Sequence, residues 1–191
     1  DQSVIHYDPI THQEASNRLY LRTGLQRAFE RGELELYYQP IVDTEGTIRG
    51  AEALMRWNHP DRGLLGPADF IGIAEDSRLI APIDKLALYH SCRAIVAWSD
   101  DFDLFVTLNI SAINISDSTL PNVVAQAARD AGLNKMSRLK LELTESKTIE
   151  DRQYSQGAMK ELNEMGVDIW IDDFGTGQSS LSYLKHLPVS T

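Results

Sequence analysis

Basic residues, cysteine and long apolar runs are all scarce in this sequence of 191 residues. Acidic residues outnumber basic ones by 28 to 18, and a net charge of -10 argues against non-specific binding to DNA or RNA, which needs a basic surface. The one cysteine, Cys92, excludes an internal disulfide and fits a reducing compartment. No run of about 18 apolar residues occurs, so this segment is not expected to span a membrane. We therefore expect a cytoplasmic location, with any membrane anchor in another domain of the parent protein.

The sequence also lacks the motifs of common nucleotide-binding sheets. No GxGxxG follows the first predicted strand and GxxxxGK[ST] occurs nowhere, which weakens an open nucleotide-binding sheet as an interpretation. No Cys and His grouping has zinc spacing. The chain begins at Asp1 without a signal peptide, so we interpret it as a piece of a longer protein. Residues 1–16 are predicted to be a linker from an upstream domain, and residues 17–191 the domain itself.

The segments that are present alternate between strand-like and helix-like patterns, which is typical of an α/β fold. From the second predicted strand onward, this order indicates a parallel sheet with crossover helices. Five strands fit either an open doubly wound sheet or part of a (β/α)8 barrel. The predicted strands are 34–40, 49–57, 102–109, 139–143 and 167–171, and the predicted helices are 14–31, 68–77, 82–98, 121–131 and 152–165, followed by a Gly/Ser-rich loop at 175–180 and a short helix to about 187.

Oxygen-bearing side chains stand on four of these strands, near the ends where parallel α/β proteins collect their functional groups. They are Glu52, Asn109, Glu142 and the pair Asp172 and Asp173, with Glu145 three residues after Glu142. Carboxylate and amide oxygens favour a hard cation such as Mg2+ or Mn2+. The four strand-end carboxylates carry a charge of -4, which two divalent cations would balance, and paired metal ions are a recurrent device for phosphodiester cleavage.

Each of these residues also has an ordinary structural interpretation. Asp172-Asp173 before a glycine-rich loop is typical of a turn or a helix cap. Asn109 and Ser111 could cap the following helix, and Glu145 could do the same elsewhere. The functional prediction therefore depends on the whole set of residues.

Five short motifs together resemble the EAL domain family, in order and in spacing, over residues from about 20 to 187. They are AEALMRW at 51–57, which contains Glu52-Ala53-Leu54, YYQPIVD at 37–43, LNIS at 108–111, LELTES at 141–146 and DDFGTG at 172–177. The resemblance implies a phosphodiesterase that hydrolyses cyclic di-GMP to linear pGpG with Mg2+ or Mn2+, using two ions. It also implies a TIM-like (β/α)8 barrel whose first strand is antiparallel.

The resemblance implies a role for each matching residue. Glu52, Asn109, Glu142 and Asp172 would be metal ligands, with Glu52, Asp172 and Asp173 catalytic and Asp173 helping to hold a second ion. Gln39, Leu54 and Arg56 would contact the dinucleotide, Arg56 through phosphate. Glu145 would anchor the loop at 174–180, which shapes the metal site and the contact of a homodimer. A sensor or GGDEF domain is the expected upstream partner.

The sequence departs from the family in two places. Gln178 replaces an aromatic residue of the loop, and the chain stops at Thr191, before a lysine and a last glutamate and about three strands of the barrel. We expect this fragment alone to be inactive, whereas the intact parent would be an enzyme. The alternatives are a non-catalytic cyclic di-GMP receptor and a regulatory module that uses the site only for metal or dimer contacts.

Overall fold

The computed structural model describes residues 9–144 and 152–172, in which helices alternate with the strands of one sheet. A 3-10 turn, Met136–Arg138, precedes the fifth strand. The helices in this part of the chain are α1 (Pro9–Arg31), α2 (Pro67–Asp76), α3 (Ile80–Trp98), α4 (Ala112–Ile115), α5 (Leu120–Ala131) and α6 (Arg152–Glu164). The strands there are β1 (Leu34–Val42), β2 (Ile48–His59), β3 (Gly63–Leu65), β4 (Phe105–Asn109), β5 (Leu139–Thr144) and β6 (Asp168–Asp172).

The sheet is mostly parallel and has the order β1-β2-β4-β5-β6, with β3 paired to the end of β2. Strands β2, β4, β5 and β6 run parallel to one another, and helices make each crossover between them. Strands β1 and β2 are neighbours joined by a tight turn, in which the Asp43 amide donates to the Thr47 carbonyl over 3.0 Å. The first strand is therefore antiparallel to the second, as the family resemblance implies.

The chain divides into two compact units, of which the first comprises residues 1–35 and 56–80. Its core lies around Trp57, which is fully buried and makes an edge-to-face contact with Phe70 at 5.8 Å. The indole Nε1 donates to Glu33 Oε2 over 3.0 Å, so the buried ring keeps its hydrogen bond. Leu21 and Leu25, about one helical turn apart on α1, are also buried.

The second unit comprises residues 36–55 and 81–191, and its strands alternate between two faces. One face is apolar and buried, and includes Val106, Leu141 and Ile169. The opposite face carries polar side chains at the strand ends. We call this opposite face of β2, β4, β5 and β6 the site face, and its members within the second unit are Gly50, Glu52, Leu54, Phe105, Thr107, Asn109, Lys140, Glu142, Asp168, Trp170 and Asp172.

Several element boundaries differ from the sequence prediction. Helix α1 begins at Pro9, so part of the predicted linker 1–16 is helical. The third predicted strand, 102–109, starts only at Phe105, because the Phe102 amide donates to the Trp98 carbonyl at 2.9 Å and continues the end of α3. Strand β3 and helix α4 were not predicted, since three or four residues are too few to show a period.

Some predicted features lie outside the described residues. These are Glu145, Asp173, the loop at 174–180 and the short helix to about 187. Within the described residues, no helix combines the length and the apolar character that crossing a membrane requires.

Candidate functional site

The four predicted ligand residues share the site face, with Asn109, Glu142 and Asp172 in the carboxyl halves of their strands and Glu52 in the amino half of the longer strand β2. Glu52 on β2 is in register with Thr107 of β4, and Asn109 is in register with Glu142 of β5. Asp172 ends β6, two residues beyond Trp170, the register partner of Glu142. Partners in register point to the same side of a sheet, as do residues two apart on one strand. The structure thus brings Glu52, Asn109, Glu142 and Asp172 to one edge of the sheet.

Glu52 and Asn109 are in direct contact. The amide Nδ2 of Asn109 donates a hydrogen bond to Oε1 of Glu52 over 3.0 Å, across the pair of strands β2 and β4. Asn109 is exposed and Glu52 is half-buried. Because the Asn109 amide nitrogen is turned towards Glu52, its carbonyl oxygen remains as an acceptor for another group.

The carboxyl group of Glu142 has a raised pKa. Burial raises the pKa of its carboxyl to about 7, and the negative charges of Glu52 and Asp172 contribute to the rise. The buried Thr107 hydroxyl opposes the rise in this pKa from beside the carboxyl, although it falls short of hydrogen-bond geometry. Among the described residues, no cation contributes to this pKa. The carboxylates of Glu52 and Asp172 therefore both repel the carboxylate of Glu142.

The donors present suit a hard cation in chemical type. Carboxylate and amide oxygens are the ligands that Mg2+ and Mn2+ prefer, and mutual repulsion among carboxylates is relieved when a cation binds. Within residues 9–144 and 152–172, however, no three His, Cys, Asp or Glu side chains form a group that could hold a metal ion. The described residues therefore provide ligand atoms of the type that such a cation prefers, but not a complete set of ligands. Asp173 lies outside the described residues.

The residues predicted to contact the dinucleotide lie on the first two strands. Gln39 is exposed on β1. Leu54 is half-buried on the site face, two residues after Glu52. Arg56, in the first unit, alternates along β2 with the buried Met55 and Trp57. Their contacts with a dinucleotide stay predictions.

A basic residue that the sequence analysis overlooked lies on the same face, closer to the amino ends of the strands. Lys140 forms a salt bridge with Asp168. Its Nζ also lies 5.1 Å from the ring centre of Phe105 and 5.0 Å from that of Trp170, within the range of cation–π attraction. The period-two pattern could have revealed it, since Lys140 stands two residues before Glu142.

The fold and the oxygen donors at the strand ends define an α/β protein with a candidate hard-cation site. The EAL domain family matches residues 22–191. The chain belongs to the EAL domain family, and the resemblance of its five motifs to that family is confirmed.

Relatives whose names state a function agree with this membership. The chain is 35% identical over 184 residues to the cyclic di-GMP phosphodiesterase PdeR of Escherichia coli, covering 96% of this chain and 28% of that protein. It is 39% identical over 187 residues to the bifunctional diguanylate cyclase/cyclic di-GMP phosphodiesterase MucR of Pseudomonas aeruginosa, covering 96% and 27%. The chain thus spans about a quarter of the length of these curated relatives.

A solved structure extends the likeness to three dimensions. The PaMucR phosphodiesterase in complex with c-di-GMP superposes with a TM-score of 0.83 at 41% identity, covering 90% of this chain and 70% of that one. The predicted fold class, the TIM-like α/β arrangement of EAL domains with a mostly parallel sheet, is confirmed.

Proposed function

We propose that this chain carries the active site of a metal-dependent phosphodiesterase that hydrolyses cyclic di-GMP to linear pGpG. The observation that supports the proposal most directly is that Glu52 and Asp172 lie close enough to Glu142 to raise its pKa, while Asn109 donates a hydrogen bond to Glu52. Such an arrangement is unfavourable for a protein that has no use for it, because like charges in a partly buried site repel. The names of PdeR and MucR as cyclic di-GMP phosphodiesterases, and the complex of PaMucR with c-di-GMP, support the same substrate.

The roles in this proposal follow the chemistry of each side chain. Glu52, Asn109, Glu142 and Asp172 would hold a divalent cation, and Asp173 would help to hold a second. When bound, Mg2+ or Mn2+ would polarise a phosphoryl oxygen and balance the negative charge that develops on the phosphoryl oxygens. The four protein ligands fix where that charge is balanced. Thr107 supplies a buried hydroxyl beside the Glu142 carboxyl.

Other side chains would bind and orient the dinucleotide. Arg56 would pair with phosphate, because a guanidinium matches phosphate oxygens in geometry and charge. Gln39 offers an amide from β1 and Leu54 an apolar surface next to Glu52. Glu145 would anchor the loop at 174–180.

The partners of the full-length protein follow from the same reasoning. MucR combines a diguanylate cyclase with a phosphodiesterase, which supports a GGDEF or sensor domain next to this one. We also propose a homodimer, and a cytoplasmic location that suits the buried free thiol of Cys92.

The test is turnover of cyclic di-GMP by the full-length protein with Mn2+, with pGpG quantified by chromatography. Glu52→Gln removes one ligand charge and should lower kcat by about 10²–10³-fold, as loss of one electrostatic stabiliser does. Glu45→Gln is the matched control, since Glu45 is an exposed acid in the β1–β2 turn of the same hairpin. Equal losses in both variants, or none in Glu52→Gln, would contradict the proposal.

A non-catalytic cyclic di-GMP receptor is the second candidate. The observation in its favour is that no three His, Cys, Asp or Glu side chains among the described residues form a group that could hold a metal ion. Binding of cyclic di-GMP to the full-length protein in EDTA, with no pGpG formed in Mn2+, would favour the receptor over the enzyme.

A further inference from the structure

Helix α3 carries a buried carboxylate, that of Asp84, which binds the segment after strand β4. Asp84 is 5% exposed, and its Oδ2 accepts hydrogen bonds from the Ser111 amide at 3.0 Å, the Ser111 hydroxyl at 2.8 Å and the Asn114 side-chain amide at 2.7 Å. A buried carboxylate is costly unless hydrogen bonds replace its water. Three donors on one oxygen supply that replacement. They also tie α3 to the segment that follows β4.

The tied segment begins immediately after a proposed metal ligand. Asn109 ends β4, and the next amide, that of Ile110, donates to the Glu142 carbonyl at 2.9 Å. The amide after that belongs to Ser111 and donates to Asp84. Two successive backbone groups after Asn109 are thus fixed, one to β5 and one to α3.

The Asn109 side chain depends on where this backbone lies. Its Nδ2 reaches Glu52 Oε1 at 3.0 Å, a contact between strands that a shift of a few tenths of an ångström would lengthen beyond a good hydrogen bond. Without the Asp84 contacts, the chain after Ile110 would be free to choose another path. The same shift would move the carbonyl oxygen of the Asn109 side chain.

Capping of a short helix does not by itself explain this arrangement. Ser111 caps α4 by accepting from the Asn114 amide at 3.4 Å, but α4 has only four residues. Before the longer α5, a local exposed residue suffices, since Asp117 accepts from the Thr119 amide at 2.8 Å. Asp84, in contrast, is 27 residues away from Ser111 in the sequence, and its side chain is buried where it accepts the Ser111 hydrogen bonds. This arrangement is explained if the site needs the end of β4 to be held in one place.

We propose that Asp84 is a positioning residue, which acts through Ser111 to hold Asn109 against Glu52 and so presets the cation site. This inference rests on the proposed function. It assigns Asp84 no contact with metal or substrate.

The test uses the full-length protein and two readouts, the Mn2+ concentration that gives half of the maximal thermal shift and the rate of pGpG formation. Asp84→Asn keeps the size of the side chain but replaces one acceptor oxygen with a donor. We expect the Mn2+ midpoint to rise by about 10-fold, the lower end of what residues behind metal ligands contribute. Asp117→Asn is the matched control and should leave the midpoint unchanged.

A double-mutant cycle separates positioning from general stabilisation. If Asp84 acts through Asn109, then adding Asp84→Asn to Asn109→Ala should cause no further rise in the Mn2+ midpoint. A lower melting temperature in EDTA with an unchanged Mn2+ midpoint would overturn the proposal. If Asp84→Asn does not fold, Ser111→Ala decides the matter, since it removes one contact and leaves the carboxylate, and an unchanged midpoint there would overturn it equally.

The wild-type protein distinguishes the two levels of inference. A wild type that neither shifts with Mn2+ nor forms pGpG refutes the proposed function, and the positioning role with it. A wild type that does both, with Asp84→Asn and Ser111→Ala identical to it in Mn2+ midpoint, refutes the positioning role alone.

Discussion

Replacing Gly50 with alanine should destabilise the protein through a clash below the site. Gly50 is buried on β2, in register with Phe105 of β4. A Cβ at this position would lie 2.6 Å from two ring carbons of Phe105 and 2.7 Å from its carbonyl oxygen. The ring can turn aside, but the carbonyl belongs to the sheet and moves only with β4. Overpacking lowers stability by about 1–3 kcal/mol. Because the clash includes a backbone atom, we expect Gly50→Ala to lie in the upper part of that range, at about 2–3 kcal/mol.

The expected result is a fall in melting temperature of about 4–12 °C, because about 2–4 °C corresponds to each kcal/mol in a domain of this size. Calorimetry in EDTA measures it without any contribution from bound metal. Gly157→Ala is the matched control, since Gly157 is exposed within α6 and has nothing within 4 Å of the added Cβ. Alanine in a helix is about 0.5–1 kcal/mol better than glycine, so the control should melt higher. A Gly50→Ala variant as stable as the wild type would refute the clash.

Three further predictions concern buried groups. Cys92 is fully buried and its pKa is raised to about 11 by burial, so Ellman's reagent at pH 8 should label it only after unfolding in guanidinium, and fast labelling of the folded protein would contradict this. Ser91→Ala removes a buried hydroxyl that has no hydrogen-bond partner among the described residues, so it should raise the melting temperature by about 2–4 °C for about 1 kcal/mol; a fall would be the contrary result. Asp168→Asn leaves the half-buried Lys140 without its carboxylate partner and should lower the free energy of unfolding by about 1–3 kcal/mol. Adding Lys140→Met should recover most of that loss. Denaturant titration measures both effects, and no recovery would contradict the ion pair.

The sequence predicts the location of the site because strand ends can be read from local patterns. Asn109, Glu142 and Asp172 each occupy the carboxyl half of a strand, and parallel strands bring those ends to one edge. Glu52 lies in the amino half of the long strand β2, in register with Thr107 of β4. Glycines with positive φ end the predicted helices, as at Gly132 with φ of 77° after α5. Both predictions follow from properties of single segments.

Contacts between segments could not be predicted in the same way. The hydrogen bond from Asn109 to Glu52 depends on the register of β2 against β4, which no local period specifies. The capping interpretation holds for Ser111, which starts α4, whereas Asn109 bonds to Glu52 instead. Asp84 looks like any polar position of α3 until the structure shows it buried against Ser111.

The charged side chains on the site face lie in two groups, one that pairs opposite charges and one that brings like charges together. Near the amino ends of the strands, Lys140 is neutralised by Asp168 and flanked by two aromatic rings, so its charge is already committed. Near the carboxyl ends, burial raises the pKa of Glu142, and the carboxylates of Glu52 and Asp172 add to the rise. Within the described residues, no cation contributes to that pKa. Proteins keep such clusters of like charge mainly where function requires them, which supports the proposal that a cation binds at this end of the strands and not beside Lys140.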